Sequence, residues 1–259
     1  MFFFDHDFLM KSALIFVRIT ALLFALPFFG DHVVPVRVRI LCSVALSIGI
    51  YPLIPVGWMT FTGFDILPLA WMILKEAFIG LVIGYLGKLI FEGLVMAANL
   101  VGYQMGFGTA NLLLPGSDLQ INAFTALHRI LILVFFLSLS LHYIFINGIV
   151  QTFLIIPAGS PVIKPEIGDI LFSKSSEIFS TAVQLGAPIL VALLFTMAAL
   201  GLMARTVPQM NVFTLSFPLS FFVGLGVYLT MTPFLPGWLR DFYQKQGLSL
   251  WNSIYGLAP

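Results

Sequence analysis

The sequence predicts an all-α, polytopic membrane protein of about six long apolar helical segments, forming a single unit over residues 1–259. Three observations carry this. The chain is 60% hydrophobic and only 9% charged, with a mean hydropathy of +1.06; a water-exposed globule needs about a quarter of its residues charged. Six apolar stretches meet or exceed the roughly 18 residues that cross a hydrocarbon core. The breaks between them carry turn residues, with no hydrophilic domain, internal repeat or low-complexity tract.

The first stretch runs from Phe8 to Phe29. Its opening MFFFDHDF is acidic, and Lys11 and Arg18 interrupt the apolar run, so it is expected to stay in the mature protein rather than be cleaved as a signal peptide. The second runs from Val38 to Val56 and the third from Ile66 to about Val101. About 36 residues in the third would make a helix of about 54 Å, against a hydrocarbon core near 30 Å, so it must break, tilt steeply or leave the bilayer. Ile130 to Ile156, Ile178 to Ala204 and Val212 to Leu235 complete the set. Under a six-span arrangement Arg37, Arg39, Arg129 and Arg205 fall on one side, and Lys164, Lys174, Arg240 and Lys245 on the other. The positive-inside rule returns a tie. With the over-long third stretch, this points to a chain completed only inside an assembly.

Several function classes drop out. A net charge of +1 with no clustered basic face gives no footprint for nucleic acid. The single Cys42, inside an apolar run, builds neither a disulfide framework nor a thiolate metal cluster. His6, His32, His128 and His142 show no metal-ligand spacing, and His128 and His142 read as hydrogen-bonded within packed helices. Gly106-Phe107-Gly108 lacks the preceding strand and the acidic partner of a dinucleotide site. No nucleophile, metal set or cofactor can be named, so an intramembrane enzyme has no support.

Glu76, Gly80, Gly84, Lys88 and Glu92 recur every four residues and form a drifting stripe on one helix face. Such a stripe faces protein, because glycine admits a second backbone and charge is costly in lipid. Two readings follow: a packing groove with Lys88 and Glu92 paired at i to i+4, or a proton pathway through Glu76. The second would make the chain a proton-coupled secondary transporter with Glu76 or Glu92 as carrier.

Gly102 to Gly116, which includes Gln104, Met105, Gly106, Phe107, Gly108, Leu112, Leu113, Leu114 and Pro115, is uncharged yet breaks helical periodicity. Irregular backbone at membrane depth is tolerated where protein buries it or where it lines a cavity. A loop filling a pore or seam competes here with a re-entrant turn. Further on, Pro208 disfavours helix at Val207, so the preceding helix should stop there. Gln209 and Asn211 can then satisfy freed backbone groups, and Arg205 sits near a helix C-terminus that favours a cation.

Pro208-Gln209-Met210-Asn211-Val212-Phe213 with Phe217-Pro218 and Gly224, together with Gly102-x-Gln104-Met105-Gly106, Pro27, Val34-Pro35-x-Arg37-Val38 and Pro52-x-x-Pro55, resembles the FliR family. These are the R subunits of the type III export gate, with relatives in virulence injectisomes. The resemblance covers nearly the whole chain, and the PQMNVF run leans towards the flagellar branch.

The resemblance implies a non-enzymatic, single-copy subunit without a cofactor, in the bacterial inner membrane at the flagellar basal body. It implies a helical hetero-oligomer with several P and Q subunits, contacts to the B subunit and the A-type export protein, and helices paired as hairpins. Unfolded flagellar proteins would be the substrates. It assigns pore plugging to the loop at about 106–120, where Phe107, Leu112, Leu113 and Leu114 would exclude water and the glycines would let the loop move aside. Assembly and packing are expected of Arg37, Arg39, the stripe, Arg205, Pro208, Gln209, Met210, Asn211 and Phe213.

Overall fold

The computed structural model describes residues 6–26, 34–54, 66–107, 123–156, 167–207, 209 and 211–255. Among these the regular structure is entirely helical: α1 (His6–Ala25), α2 (Val36–Ile50), α3 (Ile66–Gln104), α4 (Ala123–Ser138), α5 (His142–Ile155), α6 (Ile167–Thr206), α7 (Val212–Met231) and α8 (Leu235–Tyr255), with 3₁₀ turns at Tyr51–Leu53 and Thr232–Phe234. Five helical runs are long and apolar enough to cross a membrane, or six if the bent α4–α5 pair is one span.

Local chemistry sets the ends. Pro35, extended at ψ 140°, precedes α2 and supplies the N-cap position. Within α2 the Ser43 hydroxyl donates to the Arg39 carbonyl (2.9 Å) and the Ser47 hydroxyl to the Ser43 carbonyl (2.6 Å). Polar side chains in an apolar helix are thereby satisfied by their own backbone. α6 stops at Thr206, as the proline two residues on requires. The Asn211 side chain opens α7 by accepting from the Thr214 amide at 3.2 Å. Pro188 in α6 and Pro218 in α7 lie inside their helices and deprive the carbonyls four residues back of their usual helical donor.

The third stretch does not break: α3 is continuous over 39 residues, about 58 Å at 1.5 Å per residue. Three expectations need correction. The fourth stretch is two helices, because Ser140 adopts φ 57° and interrupts the chain between α4 and α5; the apolar run hid the break, since serines scarcely lower hydropathy. The fifth stretch starts before Ile178: α6 begins at Ile167, with Asp169 in its first turn, where the helix dipole favours an acid. The last does not end at Leu235. It continues as α8, which buries Leu235, Leu239, Tyr243 and Gly247 at intervals of four and carries Arg240, Asp241 and Lys245 on its exposed face; those charges disguised it.

The chain divides into two compact units, one of residues 1–91, 141–175 and 243–259, the other of residues 92–140 and 176–242. The core of the first packs Ile15, Ile19, Leu22 and Leu23 of α1, with Leu26 just beyond it, on Ile50, Ile149 and Phe153. The core of the second joins Ala98 and Val101 of α3, and Met105 just beyond it, to Phe124, Ile189, Leu193 and Tyr228. Large apolar side chains also point outward, such as Leu41, Ile48, Phe172, Phe195 and Phe222. In water this would be a liability; against hydrocarbon or an apolar partner it is the expected surface.

Candidate functional site

The polar centre of the first unit is an ion pair. Arg18 of α1 donates from Nε to Glu76 Oε2 (2.5 Å) and from Nη2 to Oε1 (3.1 Å). Its Nη1 reaches the Ile156 carbonyl (2.9 Å) and the Thr152 carbonyl (3.3 Å) at the end of α5. The guanidinium also lies 4.3 Å from the Phe153 ring centroid. Both residues are wholly buried. A fork-to-fork pair whose remaining donors find carbonyls is the arrangement that makes a buried charge tolerable. A proton carrier needs access to water, and Glu76 has none here.

The stripe below Glu76 packs against α1. A Cβ at Gly80 would fall on the Arg18 carbonyl oxygen and 2.9 Å from Ala21 Cβ, and one at Gly84 would lie 2.6 Å from both the Leu22 carbonyl oxygen and Ala25 Cβ. Backbone cannot yield as a side chain can, so these glycines set the α1–α3 approach. The expected Lys88–Glu92 ion pair does not form among the described residues. The charge that matters to Glu76 comes instead from Arg18, which the sequence reading passed over. The signal was present: a cation in the middle of one apolar span calls for an anion in another.

Arg39 is buried, donates from Nε to the Val34 carbonyl (2.9 Å) and stands 5.4 Å from the Phe24 ring. Arg37, Arg205 and Gln209 are exposed. Pro208, Met210 and the Phe213 side chain lie outside the described residues, as do Gly108, Leu112, Leu113, Leu114 and Pro115.

In the second unit, the root of the uncharged loop is clamped on α7. Gln104 ends α3 and is half-buried. Met105 is fully buried, and its side chain fills the space a Cβ at Gly224 would need, 2.7 Å from Cγ. Gly106 turns at φ +95°, where a Cβ would meet the Phe217 ring at 2.6 Å. Phe107 then sets its ring edge-on to Phe221 (5.8 Å) and Phe217 (6.5 Å). So Phe217 and Gly224, which lie more than 100 positions away in sequence, answer Gly106 and Met105 directly. Beside this root, His128 Nδ1 and the Tyr228 hydroxyl share a hydrogen bond of 2.9 Å, and Phe124 packs on both rings. No group of three or more metal-ligating side chains occurs among the described residues.

Long apolar helices, outward-facing hydrocarbon side chains and a buried, compensated ion pair define a polytopic all-α membrane protein. Residues 9–245 match the family described as bacterial export proteins, family 1, and the chain belongs to that family. It is similar to the flagellar biosynthetic protein FliR of Bacillus subtilis, at 31% identity over 80% of each chain. It is similar also to that of Escherichia coli K12, at 27% over 88% of this chain and 87% of the other, and to that of Aquifex aeolicus, at 28% over 93% and 92%.

Proposed function

We propose that the chain is the single-copy R subunit of a flagellar type III export gate in the bacterial inner membrane, and forms part of the pore through which unfolded flagellar proteins leave the cell. Its partners in the basal body are the P and Q subunits, with the B subunit and the A-type export protein at the periphery. Family membership and the flagellar names of its relatives support this reading. The role is a passage, not a reaction, so no cofactor enters it.

The observation that carries the gating role is the clamped root. Met105, Gly106 and Phe107 are held on α7 by packing that uses no charge. A segment that moves aside for a substrate needs a fixed origin, and residues 106–120 begin at one. Apolar contacts within the plug would open at modest cost, whereas a charge pair there would strengthen its own closure in low dielectric. The exposed Arg37, Arg205 and Gln209 are left for partner contacts. Transport of a small solute through Glu76 is not favoured, because that carboxylate is committed to Arg18.

Co-expression with P and Q subunits, followed by native mass spectrometry of the detergent-extracted particle, tests the assembly. One copy of this chain among several of each partner is expected. A monodisperse particle of this chain that ignores those partners would overturn the proposal. Removing residues 108–118 while keeping the root tests the gate: the complex should assemble and leak ions, and an intact permeability barrier would sink the plug assignment.

A further inference from the structure

The second unit contains a cavity of about 240 Å³, walled by α3, α4, α6, α7 and the start of α8. We propose that it holds one acyl chain of a membrane lipid. The inference is independent of the export-gate reading and concerns a site that reading does not use.

Most of the wall is apolar, with Ala98, Val101, Ile189 and Trp238 prominent. The cavity has room for about eight waters at ~30 Å³ each, and each would need two to four polar partners. Few are offered. The Tyr228 hydroxyl is taken by His128 Nδ1, and the Gln184 amide nitrogen donates to the Ser180 hydroxyl at 3.2 Å. What remains is His128 Nε2, without a hydrogen-bond partner among the described residues, the Gln184 side-chain oxygen, and the Gln184 backbone carbonyl, which Pro188 deprives of its usual helical donor. These cannot organise a water cluster of that size.

Leaving the space empty is no better. It is larger than the ~150 Å³ apolar cavity that takes up benzene, and its lining would lose dispersion contacts on every side. The rim indicates what fills it. Phe234 is 72% exposed, and on α6 Val183 and Val191, on either side of the wall residues Gln184 to Ile189, are also exposed. α6 has the length and apolarity of a membrane span. Apart from the exposed Gln184 the rim is apolar, so on a membrane-spanning α6 the medium that meets it is hydrocarbon, and the molecule it supplies is a lipid tail.

Trp238 in the wall provides the readout. The other three tryptophans, Trp58, Trp71 and Trp251, are replaced by Phe in the full chain, which is purified in its native assembly and placed in bilayers of phosphatidylcholine brominated at mid-chain. Strong quenching of Trp238 is expected, and Ala98→Leu, which fills the wall, should remove most of it. Native mass spectrometry should count one phosphatidylcholine fewer per chain in that variant. If Ala98→Leu fails to accumulate, Ala97→Leu, on the same wall, serves instead. Quenching that is weak from the start, or equal in the filled variant, overturns the proposal. So does quenching seen for the chain alone but lost in the presence of its partner subunits, since a protein side chain would then be the occupant.

Discussion

Cutting the Arg18–Glu76 pair from one side should be far worse than removing it whole. In Arg18→Ala the Glu76 carboxylate, with no exposed surface, loses both of its Arg18 bonds, and the Ile156 carbonyl loses its 2.9 Å donor. The Thr152 carbonyl is protected, because it also accepts from the Ile156 amide. Stranding one member of a buried pair costs about 3–5 kcal/mol, and one orphaned carbonyl adds about 1–3 kcal/mol. The sum, about 4–8 kcal/mol, rivals the whole net stability of an ordinary domain. Arg18→Ala should therefore fail to accumulate in the membrane. Glu76→Gln leaves a buried guanidinium facing a neutral amide and should lose about 3 kcal/mol. The double replacement Arg18→Met with Glu76→Leu strands no charge and should return to within about 2 kcal/mol of the parent. The assay is a double-mutant cycle of Arg18→Met, Glu76→Leu and the two together, read on membrane abundance and on the thermal midpoint of the purified particle. Additive effects of the two sites, with no recovery in the double variant, would refute the reasoning, because contacting groups must couple.

Three further outcomes follow from particular atoms. Gly84→Ala should destabilise by about 1–3 kcal/mol, since its Cβ meets backbone on α1. Gly201→Ala, which faces open space, should gain up to about 1 kcal/mol from helix propensity, and equal thermal shifts for the two would argue against glycine-dictated packing of α1 on α3. Gly106→Ala should lose about 1–3 kcal/mol from its positive φ alone. Adding Phe217→Leu relieves the ring contact and not the backbone, so only partial recovery of the thermal midpoint is expected; full recovery would mean that φ is not a constraint. Asn211→Ala removes the cap of α7 and should cost about 1 kcal/mol, with Asn211→Asp retaining most of it; equal losses for the two, by thermal melting of the assembly, would show that the cap is not what matters.

Much of the fold could be read along the chain because bulk chemistry reports it. A residue content this apolar cannot be solvated, so membrane class, helix type and the approximate number of segments follow from composition and run length alone. The stop before Pro208 and the capping role of Asn211 were equally legible, since both depend on neighbours within a few positions. Ser140 and α8 were not. A positive φ leaves no trace in an apolar average, and a helix bearing Arg240, Asp241 and Lys245 falls below a hydropathy threshold although its other face is buried.

The candidate site divides along the same line. The periodicity of Glu76, Gly80 and Gly84 announced a surface that faces protein, but not what stands opposite. Only the packing of α1 on α3 supplies Arg18 as the partner, 58 residues away, and leaves Lys88 without Glu92. Likewise the glycines after α3 announced a turn, and only α7 explains why Gly106 meets Phe217 and why Gly224 stands opposite Met105. By itself the sequence determined where the chain is helical and that it avoids water, because these depend on local propensity and on transfer from water to an apolar medium. The tertiary structure decided which charges neutralise each other and where glycine is indispensable, because those depend on distances between atoms that the chain brings together only when it folds.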